Sequence, residues 1–246
     1  MIDPIALIEL TNLKAADKLE ELAQHPQIGM KPGWMDELAR NKAWPIRSAL
    51  ASNPAISANT EVVSRISKDR SKNVRTSLAS NPAIASYPEI VEKLAADENS
   101  WVHRNLALNP ALVNHPEVIQ KLSEDENSDV RQELALNPSL ANHPEIIERL
   151  SVDEDPWVRR YLVLNPALAE FPEAIEKLAT DKDPWVRRYL VLNPALAEFP
   201  EAIEKLATDK DLWVRQTLAE NPSIPRGMTN AQPWQTQPTT EKAPVI

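Results

Sequence analysis

The sequence predicts an all-α solenoid of about eight repeats, each 28 residues long and containing two short helices. The prediction rests on two proline series with one period and on an exact duplication: segments 155–182 and 183–210 are identical. A fixed period of this length is the signature of a stacked repeat array. One series is Asn-Pro, with its asparagines at Asn53, Asn81, Asn109, Asn137, Asn165, Asn193 and Asn221. The other comprises Pro4, Pro32, Pro88, Pro116, Pro144, Pro172 and Pro200, with Thr60 as an exception.

The first helix of each repeat runs up to the Asn-Pro dipeptide. In one copy Asp155 is a suitable N-cap, and Pro156 takes the first helical position, where its missing N–H is not needed. Val158 and Leu162 are four residues apart and therefore share one face. Pro166 ends the helix, because the residue before a proline avoids the α region.

The second helix begins at the other proline of the repeat. A short loop, ALAEF, leads to Pro172, and Glu173 places a negative charge near the positive end of the helix dipole. Helices this short are marginal alone, so neighbouring repeats must stack to bury a continuous core. The expected apolar face comprises Ala174, Ile175, Leu178 and Ala179.

Three regions follow from the extent of the period. Residues 1–31 are expected to form a degenerate N-terminal capping repeat, and residues 32–228 the tandem helical repeats. Residues 229–246 are rich in proline, threonine and glutamine and are expected to form a disordered tail. Trp234 in this tail could be a short docking motif, but the interpretation without a role is preferred.

The motif V-R-x-x-L-A-x-N-P, followed by P-E-x-x-x-x-L-A-x-D, is clear in NVRTSLASNPAIASYPEIVEKLAAD and DVRQELALNPSLANHPEIIERLSVD. It resembles the leucine-rich repeat variant family over residues 32–225 and, in degenerate form, over residues 4–31. The resemblance implies a right-handed, HEAT-like superhelix in which α-helices alternate with tighter 3₁₀ turns. It implies no common enzymatic activity. Some members carry a cysteine-ligated iron–sulfur cluster, which this cysteine-free chain cannot hold.

Composition excludes several classes of site. The net charge of −9 argues against a dedicated nucleic-acid binder, whose footprint is a basic stripe. Without cysteine there are no disulfides or zinc–thiolate sites, and three glycines cannot build a phosphate-cradling loop. We therefore expect no cofactor and no metal. With neither a basic leader nor a long apolar run, the chain is expected to be soluble and cytoplasmic, with no membrane contact.

Two polar series recur in nearly every copy, and such recurrence favours architecture over catalysis, which needs one distinctive cleft. We interpret the charged series as a stacked ladder of charge-assisted hydrogen bonds that ties each repeat to the next. Its members are Asp69, Asp97, Asp125, Asp153, Asp181 and Asp209 with Arg75, Arg131, Arg159, Arg187 and Arg215, and His103 replaces one arginine. The asparagines are interpreted as satisfying backbone groups at helix ends, in preference to binding a peptide backbone.

His115 and His143 occupy the position of Tyr87, Phe171 and Phe199, just before the second helix. This position is typical of a hydrophobic staple. Consecutive repeats place the two imidazoles about one helix-packing distance apart, too far to share a metal ion. A packing role is therefore expected.

The strongest functional signal is a set of variable positions on one face of the first helices, which we call the aromatic–arginine strip. Tryptophan, tyrosine and arginine dominate binding hot spots. The alternative is that the tryptophans cover the seams between repeats, with arginine stems lying over them. The candidate partner-binding residues are Trp101, Arg104, Trp157, Arg160, Tyr161, Trp185, Arg188, Tyr189 and Trp213.

The favoured function is a non-enzymatic scaffold or adaptor that binds a protein or peptide partner through this strip. The alternative is a nucleic-acid-binding HEAT-like repeat protein, in which the arginines contact phosphate and the tryptophans stack on bases. A third interpretation, chromophore or cofactor-lyase chemistry, needs a ligand pocket that nothing in the sequence indicates.

Overall fold

The computed structural model describes residues 16–224, and every regular element in this range is a helix. Each repeat contributes a first helix (A), a 3₁₀ helix and a second helix (B). The A helices are α1 Ala16–Gln24, α3 Trp44–Ser52, α5 Lys72–Ala79, α7 Ser100–Ala107, α9 Ser128–Ala135, α11 Pro156–Val163, α13 Pro184–Leu192 and α15 Leu212–Glu220. The B helices are α2 Pro32–Ala39, α4 Thr60–Ile66, α6 Pro88–Leu94, α8 Pro116–Ser123, α10 Pro144–Ser151, α12 Pro172–Ala179 and α14 Pro200–Ala207.

The segment between the A and B helices is a 3₁₀ helix, where the residue pattern alone predicted a plain loop. In six of these 3₁₀ helices an asparagine side chain is the cap, accepting a bond from the N–H two residues on, and in the first, Pro26–Met30, His25 takes its place. Proline occupies the first turn of each. The 3₁₀ turns implied by the family resemblance are therefore present. They are Pro26–Met30, Pro54–Ala58, Pro82–Ser86, Pro110–Asn114, Pro138–Asn142, Pro166–Glu170 and Pro194–Glu198.

Each kind of element packs against the same kind of element in the adjacent repeats, so the chain is an α-solenoid, as predicted. Successive A helices contact each other more closely than successive B helices do. One core runs along the stack. In one repeat it takes Val158 and Leu162 from the A helix, Leu168 from the 3₁₀ helix and Ile175 from the B helix, all fully buried.

A buried arginine connects three consecutive repeats. The Arg131 guanidinium donates from Nε and Nη2 to the Asp153 carboxylate at 2.7 and 2.9 Å, and from Nη1 to the Asp125 carbonyl at 2.7 Å. Asp153 also accepts a bond at 2.9 Å from the N–H of Asp155, the N-cap of the next A helix. The predicted charged ladder is thus confirmed. Its other pairs are Arg47–Asp69, Arg75–Asp97, Arg159–Asp181 and Arg187–Asp209.

The ladder has a defect at His103. Its Nδ1 lies 2.7 Å from the Asp125 carboxylate, but its Nε2 is buried and has no partner within residues 16–224. Arg75 in the preceding repeat, by contrast, also reaches the carbonyl of Asp69. The shorter imidazole therefore keeps the bond to the carboxylate and loses the bond to the preceding repeat.

The asparagines form a second ladder. Asn137 donates from Nδ2 to the carbonyls of Ala107 and Asn109 in the preceding repeat, at 2.6 and 3.2 Å. Its Oδ1 accepts from the N–H of Ser139 at 2.9 Å, and the residue is 1% exposed. All polar atoms of the amide are occupied, which confirms the structural interpretation and leaves none to bind a peptide.

The staple position also packs as predicted. Tyr87, Phe171 and Phe199 lie against the core, and His115 is buried at the same position.

No helix within residues 16–224 combines the length and apolar character needed to cross a bilayer. The predicted tail at 229–246, Trp234 and the first half of the predicted capping repeat lie outside the described residues.

Replacing Arg131 with alanine is expected to lower the free energy of unfolding by about 3–5 kcal/mol, because it leaves the buried Asp153 carboxylate unpaired. Urea denaturation monitored by circular dichroism measures the change. Arg149→Ala is the matched control, since it removes a solvent-exposed pair with Glu124, and it should change stability little. Equal decreases in the free energy of unfolding of the two variants would contradict a stabilising role for the buried ladder.

Replacing His103 with arginine should raise the free energy of unfolding by about 1–2 kcal/mol, because the longer side chain can restore the missing bond to the carbonyl of Asp97. The reciprocal change, Arg75→His, should introduce the same defect one repeat earlier and destabilise the chain. The melting temperatures of both variants and the parent give the comparison. A His103→Arg protein with a lower melting temperature than the parent would show that this site cannot accommodate an arginine in the ladder.

Candidate functional site

The tryptophans of the strip occupy the start of four A helices. Trp157 is the second residue of α11, and its N–H donates to the Oδ1 atom of the N-cap Asp155 at 2.8 Å. Val158 and Leu162 of the same helix point into the core, so the indole faces outward. The tryptophans are half exposed: Trp101 52%, Trp157 51%, Trp185 50% and Trp213 59%.

Arginines lie between successive tryptophans. The Arg160 Cζ atom is 4.5 Å from the ring centroid of Trp157 and 5.9 Å from that of Trp185. The Arg188 Cζ atom is 5.2 Å from the centroid of Trp185 and 5.7 Å from that of Trp213. These distances are in the range of cation–π attraction, so an alternating column of indoles and guanidiniums crosses three repeats.

The column stops on the N-terminal side because the tryptophan position holds Asp129 in the intervening repeat. Arg104 therefore lies over Trp101 alone, 5.3 Å from the ring centroid. The structure brings Trp157, Trp185 and Trp213 into one continuous surface and leaves Trp101 separate from them.

The polar partner of each strip arginine depends on the next repeat. Arg104 donates from Nε to the buried carboxylate of Glu133 at 2.7 Å, and Arg188 donates to Thr217 Oγ1 at 3.2 Å. Glu133, Tyr189 and Thr217 occupy the same repeat position. In the repeat that follows Arg160, Tyr189 holds this position in place of an acceptor such as Glu133 or Thr217.

Arg160 faces this tyrosine and instead pairs with Asp183, whose carboxylate lies 2.7 Å from Nη2. Its Nε is buried without a partner within residues 16–224. Two repeats with identical sequence thus hold their strip arginines differently.

A surface depression opens where Arg188 has turned toward Thr217. Pro184, Trp185, Arg188, Asp211 and Trp213 line it. The Asp211 carboxylate accepts from the N–H groups of Trp213 and Val214, at 2.8 and 3.2 Å, and pairs with no side chain within the described range. The depression therefore combines two indole walls with the Arg188 guanidinium and a carboxylate that has no side-chain hydrogen bond within the described range.

Tyr161 and Tyr189 are partly buried and pack against the core, so of the predicted strip residues these two also serve packing. A row of exposed leucines, absent from the predicted site, lies seven residues after the tryptophans on the same helix face. The sequence spacing could have identified this row, because seven residues are close to two turns of a helix with 3.6 residues per turn. The row comprises Leu108 (45%), Leu164 (50%) and Leu192 (57%).

Both interpretations of the strip find support in this geometry. The arginines join adjacent repeats, as the seam interpretation requires, while half of each indole stays open to solvent. Because Arg104 and Arg160 already pair with carboxylates, a phosphate would have to displace Glu133 or Asp183.

Within residues 16–224 no group of three or more His, Asp or Glu side chains could hold a metal ion.

The chain is similar to a designed armadillo repeat protein, with 16% identity and a TM-score of 0.28, over 92% of this chain and 99% of that one. It is also similar to an engineered protein, with 16% identity and a TM-score of 0.22, over 89% of this chain and 96% of that one. No family model and no curated protein matches the chain.

Replacing Arg160 with glutamine should raise the pKa of Asp183. Burial raises this pKa, but the Trp185 N–H and the Arg160 guanidinium outweigh it and hold the pKa below its ordinary value of 3.8. A depressed folded pKa means that the pair stabilises the fold above pH 3.8, and that this stability is lost as the pH falls through the lower folded value.

Carbon-detected NMR titration of the Asp183 carboxyl measures the shift. Arg188→Gln is the control, because Arg188 is the same residue in the duplicate repeat but bonds to Thr217. Equal upward shifts of the Asp183 pKa in both variants would contradict the assigned pair.

Proposed function

We propose that the chain is a non-enzymatic adaptor that binds a protein or peptide partner through the aromatic–arginine strip. The observation that carries this proposal is the half-exposure of Trp157, Trp185 and Trp213 in one column on the A-helix side of the array. Tryptophan and arginine dominate the energetics of protein interfaces, and stacked repeats offer an extended surface.

The strip is organised before any partner arrives. Each of the three tryptophans in the column is held at its backbone by an N-cap aspartate and on its indole face by an arginine, as at Trp185 with Asp183 and Arg160. Fixing rotamers in advance reduces the entropy lost on association. Packing between repeats alone accounts for the arginines, but not for the solvent-exposed half of each indole.

Membership of the leucine-rich repeat variant family is part of the same proposal. Its support is the recurring V-R-x-x-L-A-x-N-P motif, together with the alternation of α-helices and 3₁₀ helices. In this family-based interpretation residues 1–31 cap the array and residues 32–228 form its repeats.

The test is photo-crosslinking in native lysate with mass spectrometry of the captured molecules. The parent chain is compared with Trp157→Ala/Trp185→Ala/Trp213→Ala and with Trp44→Ala, a control whose tryptophan is 45% exposed but lies outside the strip. We expect proteins that the parent and the control capture and the triple variant does not.

Circular dichroism must first show that all three chains fold. The same captured proteins in all three samples would contradict the proposal. Captured nucleic acid whose yield falls steeply with added salt would favour the nucleic-acid alternative.

A further inference from the structure

We propose that Arg215 forms a carboxylate-binding site at the C-terminal end of the array, and that Glu241 of this chain is its ligand. The site belongs to the charged ladder and not to the aromatic–arginine strip, so the inference stands independently of the proposed function. Its basis is that Arg215 is the one ladder arginine without a carboxylate partner within residues 16–224.

The other five ladder arginines of this chain all bind a carboxylate in the same way. Nε and Nη2 donate to the two oxygens of an aspartate 22 residues later, as from Arg187 to Asp209 at 2.5 and 2.8 Å. Nη1 donates to a backbone carbonyl that precedes the arginine, which for Arg187 is that of Asp181. Such two-pronged pairs are the most specific contacts that a guanidinium makes. The five are Arg47, Arg75, Arg131, Arg159 and Arg187.

Arg215 makes only the backbone half of this arrangement. Its Nη1 donates to the carbonyl of Asp209, while its Nε and Nη2 have no acceptor within residues 16–224. The two aspartates just before this helix are already bonded, since Asp209 pairs with Arg187 and Asp211 caps α15. Because the backbone bond already holds the guanidinium, a carboxylate that meets its open edge costs little side-chain entropy.

The open edge of this guanidinium is accessible. Val163 and Val191 are fully buried beneath the repeats that follow them, whereas Ala219 at the same repeat position is exposed. The side chain of Arg187 is 4% exposed, but Arg215 is partly exposed, and neither Nε nor Nη2 is buried without a partner. A carboxylate from outside residues 16–224 can therefore reach both donors.

The order of the chain selects Glu241. In all five pairs the carboxylate follows its arginine in the sequence, so the sixth carboxylate is expected from residues 225–246. Gln237 stands at the equivalent position, 22 residues after Arg215, and carries no charge. Glu241 follows four residues later and is the one acidic side chain between residues 225 and 246.

The chain beyond Ile224 is long enough to bring Glu241 back to the ladder. Ile224 occupies the repeat position of Leu196, from which the preceding repeat reaches Asp209 through the helix α14. More residues separate Glu241 from Ile224 than separate Asp209 from Leu196. An extended chain also spans about 3.3–3.6 Å per residue, against about 1.5 Å in a helix, so no further B helix is needed.

The test is the hydrogen exchange of arginine Nε–H groups, measured by ¹⁵N NMR on the full chain. Exchange slows where the group is hydrogen-bonded, and Arg187 is the internal reference. We expect slow exchange at Arg215 in the parent and about tenfold faster exchange in Glu241→Gln, which removes the charge and keeps the size. Glu220→Gln is the matched control, because it removes an exposed charge from the same end outside the ladder, and it should change nothing.

Slow exchange at Arg215 in all three chains would overturn the assignment of Glu241, because another group would then hold the guanidinium. Fast exchange in the parent would overturn it as well. If an added glutamate-containing peptide then slowed the exchange, the carboxylate would come from a second molecule.

Melting temperatures give an independent measurement of the same pair. Arg215→Gln and Glu241→Gln should each lower the melting temperature, and the double variant should lower it no further than the more damaging single change, because both remove one interaction. Losses that add in the double variant would contradict a contact between the two side chains.

Discussion

The structure depends on a buried guanidinium that cannot be left without partners. Arg131 reaches back six residues to the carbonyl of Asp125 and forward to the carboxylate of Asp153, and these two aspartates are equivalent residues of consecutive repeats. An insertion or deletion on either side would separate the donors from their acceptors and leave a buried charge unpaired, which is among the most destabilising changes a fold can suffer. The 28-residue period is therefore an electrostatic requirement as well as a packing one. The asparagine ladder applies the same constraint on the other side of the A helices, through the backbone carbonyls of the preceding repeat.

These interior constraints leave the outward face of the A helices free to vary. The N-cap carboxylate that orients Trp185 belongs to Asp183, two residues after the ladder residue Asp181, whose own carboxylate bonds the Asp183 N–H. The ladder aspartate thus fixes the N-cap aspartate, and the N-cap aspartate fixes the backbone of the exposed tryptophan. Because these two hydrogen bonds recur with the ladder, the strip has the same 28-residue period as the fold.

Much of the fold could be predicted from the sequence, because proline and asparagine fix helix ends locally. Pro156, Pro172 and Asn165 place the A and B helices of their repeat without reference to the rest of the chain. The residues before Pro172 alone predict a loop and not a 3₁₀ helix, since the capping bond that the Ala167 N–H donates to Asn165 Oδ1 is visible only in three dimensions. In the candidate site the column of tryptophans was predictable from position alone. The different partners of Arg160 and Arg188 were not, because their own repeats are identical and the difference comes from Tyr189 and Thr217 in the repeat that follows.

This dependence on the following repeat makes the strip directional. Where a tyrosine follows, the arginine turns to the N-cap carboxylate and neutralises it, as Arg160 does with Asp183. Where a threonine follows, the arginine turns away, and the carboxylate of Asp211 remains beside an open depression. The exact duplication therefore yields one closed step, in which the arginine pairs with the N-cap aspartate of the next repeat, and one open step, in which it does not. The two steps differ because the last copy borders a different repeat. Adding a further identical copy between them would add a closed step and keep a single open one at the C-terminal end. Repeat number can then change the length of the aromatic surface without changing the charge of its open end, and the two properties are set by different residues.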